Sequence, residues 1–115
     1  MSRASRRQKE EQKIRVLEAE FREQLIAALR KCAAGQWGLF GQNEPQANVA
    51  VRGSHMQVGD ELVHLGERIV SARTEIGESA DFPLLSRFLQ YRTMRGPNDP
   101  GEPKLAREFL KELNV

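Results

Sequence analysis

Few residues in this sequence combine the types and the spacing that catalysis or metal binding requires. Glu61 and His64 form an E-x-x-H pair, and a helix would place both side chains on one face, as carboxylate-bridged metal sites need. A di-metal helical bundle needs a second such pair and further carboxylates, and the sequence holds only this pair. We therefore expect His64 to be an ordinary surface or partly buried histidine, and we expect no metal or cofactor.

The only cysteine, Cys32, lies on the apolar side of the first predicted helix, near its C-terminal end. A catalytic thiolate needs a nearby base or a helix N-terminus, because these lower the thiol pKa, whereas the end of a helix raises it. Burial in the core is therefore the expected role of Cys32. A lone cysteine also excludes a disulfide framework or a multi-cysteine zinc site within the chain.

Phosphate-binding and nucleophile motifs are missing from the sequence. The glycines fit neither G-x-G-x-x-G nor the P-loop pattern, and G-x-S-x-G does not occur. The segment 92–104, with Arg92, Arg95 and Asn98, has some anion-binding chemistry, but any Pro/Gly-rich loop between helices has a similar composition. We expect a protein that is not an enzyme.

The net charge of +2 is unevenly distributed, because the first nine residues contain no acid. Their basic side chains are those of Arg3, Arg6, Arg7 and Lys9. Such an arm suits nucleic acid or an anionic surface, although four charges neutralise few phosphates, and a solvated helix start is the favoured interpretation. We expect residues 1–13 to be a basic arm and a projecting helix start.

The composition indicates one small, cytoplasmic, soluble domain. The chain has 115 residues, of which 39% are hydrophobic, and this allows a modest core. No apolar run approaches the roughly 18 residues of a membrane span, so we expect no membrane partner.

The first helix is the clearest element in the sequence. Its apolar residues recur every three or four positions, which keeps them on one side of a helix that we predict over 6–34. Val16, Ile26 and Leu29 are expected to widen this stripe, and Gly35 to end the helix. The stripe itself consists of Ile14, Leu17, Phe21, Leu25, Ala28 and Cys32.

A heptad seam predicts a second helix over 58–76, with Leu62, Leu65 and Ile69 at its centre. Gly66 inside this helix would let a neighbouring backbone approach closely, and Gly77 would end it.

Two shorter helices complete the prediction. We expect Asp81 to cap the third, with Pro83 in its first turn, and we expect this helix to stop near Arg95. The last helix should begin around Glu102 and Pro103.

Between the first two helices lies a long Gly-containing, aromatic segment, 35–57, which resists helical periodicity. Trp37 and Phe40 could plug the open end of a bundle or form an exposed docking loop, and the plug is favoured because a small protein more often buries its single tryptophan. Residues 48–52 could add a short extended piece. Gly53–Met56 resembles the short sequence that remains after an affinity tag is cleaved, and we assign it no function.

Together these patterns predict an all-α protein, a small four-helix bundle with a long first helix, in which residues 14–115 form a single helical domain. The helices are long for so small a body, so we expect an interaction module that pairs with itself or with another protein. Non-specific nucleic-acid association through the basic arm is the alternative. The candidate partner interface comprises Leu62, Leu65, Ile69, Trp37 and Phe40, and the candidate nucleic-acid contacts are Arg3, Arg6, Arg7 and Lys9.

Overall fold

The computed structural model describes residues 3–34, 49–93 and 102–115, and their side chains over 6–34, 58–92 and 103–115. These residues form four helices: α1 (Arg3–Ala33), α2 (Val49–Glu75), α3 (Pro83–Thr93) and α4 (Glu102–Glu112). The described residues contain no strand, and the prediction of an all-α protein is confirmed for them. The predicted aromatic loop, with Trp37 and Phe40, falls on 35–48 and lies outside the described residues.

Each helix runs antiparallel to the one before it. Arg15, in the first half of α1, pairs with Glu78, just after the end of α2. Near the middle of α2, Asp60 meets Arg92 in the last turn of α3. Tyr91 of α3 stacks on Phe109 of α4, with ring centroids 4.5 Å apart.

Helix α4 returns to pack along α1 and closes the arrangement. The Arg22 guanidinium of α1 donates to the Leu113 carbonyl, and Arg107 of α4 donates to the Ala33 carbonyl, both at 3.2 Å. These two contacts lie at opposite ends of the shared length, so α1 and α4 are also antiparallel. Since α1 packs against both α2 and α4, it is the principal support of the fold.

One continuous core lies between the helices. Most of the predicted stripe of α1 is buried in it, together with Cys32, whose expected burial is confirmed. Phe21 contacts Phe82 edge to face, with centroids 5.2 Å apart, and this contact anchors the α2–α3 connection on α1. The other core residues of α2, α3 and α4 are Leu62, Leu65, Ile69, Leu85, Phe88, Tyr91, Leu105, Ala106 and Phe109.

Val16 does not belong to the core face of α1, contrary to the prediction. It was expected to widen the core face, yet 62% of its surface is exposed. Val16 precedes Phe21 by five residues, which at about 100° per residue places it about 140° around the helix from the core. Leu29 is buried and Ile26 is half-buried, as expected.

Helix α2 also starts earlier than predicted. The helix begins at Val49 rather than Val58, so residues 49–57, including Gly53–Met56, are helical and not part of a loop. Its end agrees with the sequence: Gly77 has a φ of 81°, and the Glu78 amide donates to the Arg73 carbonyl at 2.9 Å. This is the glycine-terminated Schellman motif, in which only glycine adopts the left-handed backbone without strain.

The N-cap of helix α3 lies one residue after the predicted N-cap. Pro83 is its first residue, and the Ser86 amide donates to the carbonyl of Phe82 at 3.1 Å. Phe82 therefore occupies the N-cap position assigned to Asp81, whose own amide instead donates to the Ser79 hydroxyl. Helix α3 ends at Thr93, two residues before the predicted end, whereas α4 begins at Glu102 as expected.

Candidate interaction surface

The residues expected to form a partner interface on α2 lie inside the chain's own core. Leu62 and Ile69 are almost fully buried, and Leu65 is 9% exposed. Their heptad seam is covered by the other helices of the same chain, so the surface that a partner could reach in this structure lies elsewhere. Trp37 and Phe40, the other members of that set, lie outside the described residues.

The first half of α1 carries the most exposed large hydrophobic side chain of the described residues. Val16 lies there on what we call the outer face of α1, defined by Lys9, Lys13, Val16, Glu20 and Glu23. These five residues are spaced by 4, 3, 4 and 3 positions and are all exposed. They form a second seven-residue repeat, opposite the core, with basic residues before Val16 and acidic residues after it.

A shallow groove lies beside Val16. Its walls are Lys9, Gln12, Lys13, Val16 and Leu17. Lysine stems are apolar, so the surface of such a groove is largely hydrocarbon, while the ammonium groups reach water. Leu17 is half-buried and continues the apolar surface toward α2, where a further groove is lined by Leu17, Glu20, Gln24, Glu61, His64, Leu65 and Arg68.

Ion pairs fix this end of α1 to the body. Arg15 pairs with Glu18 on its own helix and with Glu78, at 2.5 Å, beyond the end of α2. The Arg15 hydrogen bond lowers the pKa of Glu78, and the same bond raises the pKa of Arg15. Arg73 adds a second cation 3.3 Å from Glu78. The outer face is therefore presented on a helix whose position is set by contacts on its other sides.

The basic arm is partly neutralised by its own helix. Arg6, Arg7 and Lys9 are exposed, but Arg7 donates to Glu11 at 3.0 Å, and Lys13 pairs with Glu10 at 3.4 Å. The side chain of Arg3 lies outside the described residues, although its backbone begins α1. Two of the cations in this region thus have carboxylates beside them that would compete with phosphate.

A polar cluster connects α3 and α4. Arg87 donates to both carboxylate oxygens of Glu112, at 2.8 and 2.5 Å, and the Tyr91 hydroxyl donates to the same carboxylate at 2.8 Å. Burial and the bond to Glu112 raise the pKa of Tyr91 to about 12. Arg87 lowers the pKa of Glu112, and its guanidinium lies 4.7 Å from the centre of the Tyr91 ring. A bidentate ion pair of this kind fixes the relative position of two helices.

Arg92 is directed inward rather than toward an anion in solution. It is 8% exposed, its Nη2 donates to Asp60 at 3.2 Å, and its guanidinium lies 5.9 Å from the Phe88 ring. The rest of the candidate anion loop, 94–101, lies outside the described residues. The pairing with Asp60 gives Arg92 a role in joining α2 to α3.

Glu61 and His64 are both exposed on α2. Within the described residues, no three histidine, cysteine or acidic side chains lie together as a metal site would require. The helices that the structure describes also include none long and apolar enough to cross a membrane.

The sequence analysis missed both the outer face and the polar cluster. The sequence holds a signal for the outer face, because Lys9, Lys13, Val16, Glu20 and Glu23 are three and four positions apart and therefore share one side of a helix. Comparison of the chain with protein-family models, with curated proteins and with solved structures gives no match.

Proposed function

We propose that this chain is a small, non-enzymatic helical module for protein–protein interaction, and that it self-associates. The observation that carries the proposal is the 62% exposure of Val16 at the centre of the outer face of α1. Helix α1 uses its other side for the chain's own core, so this side, with an apolar residue at its centre and charges of both signs around it, remains accessible to another helix.

The groove beside Val16 supports the proposal. It is concave, bounded by Lys13 and Leu17, and has room for an aliphatic side chain from a partner helix. Helix-in-groove recognition uses anchors spaced as these residues are, at three and four positions. Burial of the 62% of Val16 that is exposed would contribute about 1–2 kcal/mol.

The charges near the arm favour a protein partner over nucleic acid. Arg7 and Lys13 already have carboxylates within 3.0 and 3.4 Å. A phosphate backbone placed there would also approach Glu10 and Glu11, which repel it. A protein surface can offer both signs of charge to such a mixed face.

Sedimentation equilibrium over a concentration series tests the proposal. We expect the average mass to rise above that of one chain by about 1 mM at the latest, a limit corresponding to about −4 kcal/mol of association free energy. Val16→Glu should weaken self-association at least tenfold, because it places a charge at the centre of the contact.

Leu89→Glu provides the matched control. Among the described helical side chains, Leu89 is the most exposed large aliphatic residue after Val16, at 40%, but it lies on α3, away from the outer face. It should leave the association constant unchanged, and circular dichroism should show both variants folded. A protein that stays monomeric at the highest concentration would contradict self-association.

A further inference from the structure

The charges of the outer face of α1 are arranged so that the face complements itself. Lys9 and Lys13 lie on the N-terminal side of Val16, and Glu20 and Glu23 lie on its C-terminal side. We propose that the partner at this face is a second copy of the chain, docked antiparallel through α1 about a two-fold axis at Val16. This inference rests on the proposed function and specifies its geometry.

The register follows from the residue numbers. Around a two-fold axis at position 16, Lys9 lies opposite Glu23 of the second copy, because both are seven residues from the axis. Lys13 lies three residues before the axis and Glu20 four residues after it, so they face each other within one residue. Val16 meets its own copy. In such an isologous contact every pair occurs twice.

A parallel arrangement of the same helices is electrostatically unfavourable. It would place Lys9 and Lys13 against their own copies, and Glu20 and Glu23 against theirs. The antiparallel arrangement replaces four like-charge contacts with four opposite-charge contacts, and it also opposes the two helix dipoles. Charged pairs between two helices commonly set their relative orientation in this way.

The present partners of these charges are readily exchanged. Lys13 is 72% exposed and pairs with Glu10 on its own helix, and Glu20 accepts a hydrogen bond from Gln24, 3.1 Å away. Exposed pairs within a helix stabilise it only weakly, because water screens them and their side chains lose freedom in pairing. Docking of a second copy therefore replaces only weak interactions within α1 of the single chain.

The contact has the length of a short coiled coil. From Lys9 to Glu23 the face extends fourteen residues, or about 21 Å at 1.5 Å per residue. The groove bounded by Gln12, Lys13 and Leu17 would receive Val16 of the second copy, and the symmetry repeats the contact.

Charge reversal tests the register. We expect K9E/K13E and E20K/E23K each to self-associate at least tenfold more weakly than the natural sequence, because each makes the face wholly acidic or wholly basic. An equimolar mixture of the two should associate, since one face is then acidic and the other basic. The fourfold variant K9E/K13E/E20K/E23K restores self-complementarity and should recover self-association.

A distance measurement tests the orientation. With Cys32→Ala as background, spin labels placed at Gln8→Cys should lie about 24 Å apart along the helix axis in an antiparallel dimer, and side by side in a parallel one. Labels found side by side would overturn the antiparallel arrangement.

The outcomes separate the inference from the proposed function. If the natural sequence associates but the charge-reversed variants associate equally well, another surface forms the dimer, so the inference fails while self-association stands. If the natural sequence is a monomer throughout, both fail. Circular dichroism on each variant distinguishes a lost contact from a lost fold, and we expect all of them to fold because the changed residues are exposed.

Discussion

Tyr91 is the only tyrosine of the chain, and its hydroxyl donates to Glu112 while its ring stacks on Phe109. A single tyrosine makes its ionisation directly observable in the phenolate absorbance. We expect a midpoint near pH 12 in the folded protein, because burial and the bond to Glu112 raise the pKa of Tyr91 to about 12. The value in an unfolded chain is about 10.

The raised pKa of Tyr91 makes stability depend on alkaline pH. The folded state holds the proton more tightly than the unfolded state, so this contribution to stability is complete below about pH 10 and is lost as pH rises to about 12. Glu112→Gln should lower the midpoint only in part, since burial is the larger cause. A midpoint near 10 in protein that circular dichroism shows to be folded would contradict the cluster.

Sequence patterns could not indicate this cluster. Arg87 and Tyr91 are four residues apart on α3, a spacing that predicts neighbours on one face. Their shared partner, Glu112, lies 21 residues beyond Tyr91 and belongs to a different helix. Only the antiparallel packing of α3 on α4 brings the three together.

At the scale of the element, Gly66 determines how closely α3 approaches α2. A Cβ at this position would lie 2.6 Å from Cδ1 of Leu85 and 3.0 Å from its Cγ. The sequence predicted close approach of a backbone, whereas the structure places a buried leucine side chain there. Gly66 therefore leaves room for the side chain of Leu85, although a glycine in the middle of α2 lowers the helix propensity of that segment.

Gly66→Ala should destabilise the protein by up to about 2 kcal/mol. Overpacking against Leu85 costs about 1–3 kcal/mol, and the better helix propensity of alanine returns about 1 kcal/mol. Urea denaturation measures the difference. In a Leu85→Ala background the same substitution should become neutral or stabilising, and a penalty that persists there would show that Leu85 is not its cause.

The bounds of the elements were predictable where periodicity or glycine marks them. The repeat in α1 and the stop at Gly77 were both correct. The start of α2 was missed because residues 49–57 contain Gly53, which disfavours a helix, and carry no apolar stripe. Val16 was misassigned although the sequence held the signal, since its five-residue separation from Phe21 places it about 140° around the helix from the core.

At the scale of the whole molecule, the first residues of α1 contribute little to the folded body. Among the described side chains, which begin at Arg6, Ile14 is the first that is buried, and 6–10 are exposed throughout. Deletion of residues 1–9 should change the free energy of unfolding by no more than about 0.5 kcal/mol, as expected for surface positions. Thermal or urea denaturation of the shortened chain provides the measurement.

The same deletion should weaken self-association, because it removes Lys9 from the outer face while retaining Val16. A control deletion of residues 1–5 keeps Lys9 and should associate as the full chain does. A loss of more than about 1 kcal/mol of stability on removing residues 1–9 would mean that the start of α1 packs against the body.

The closing of the fold by α4 on α1 has a consequence for synthesis on the ribosome. Helix α1 is synthesised before the helices that pack on it. The α4 residues that cover it, including Leu105 and Phe109, are synthesised after α2 and α3. Phe21, Leu25 and Leu29 therefore stay open to chaperones and to other nascent chains until residue 113 or so has emerged. A premature stop after α3 would release a chain in which this apolar surface of α1 stays exposed. Such a fragment should be degraded or should aggregate.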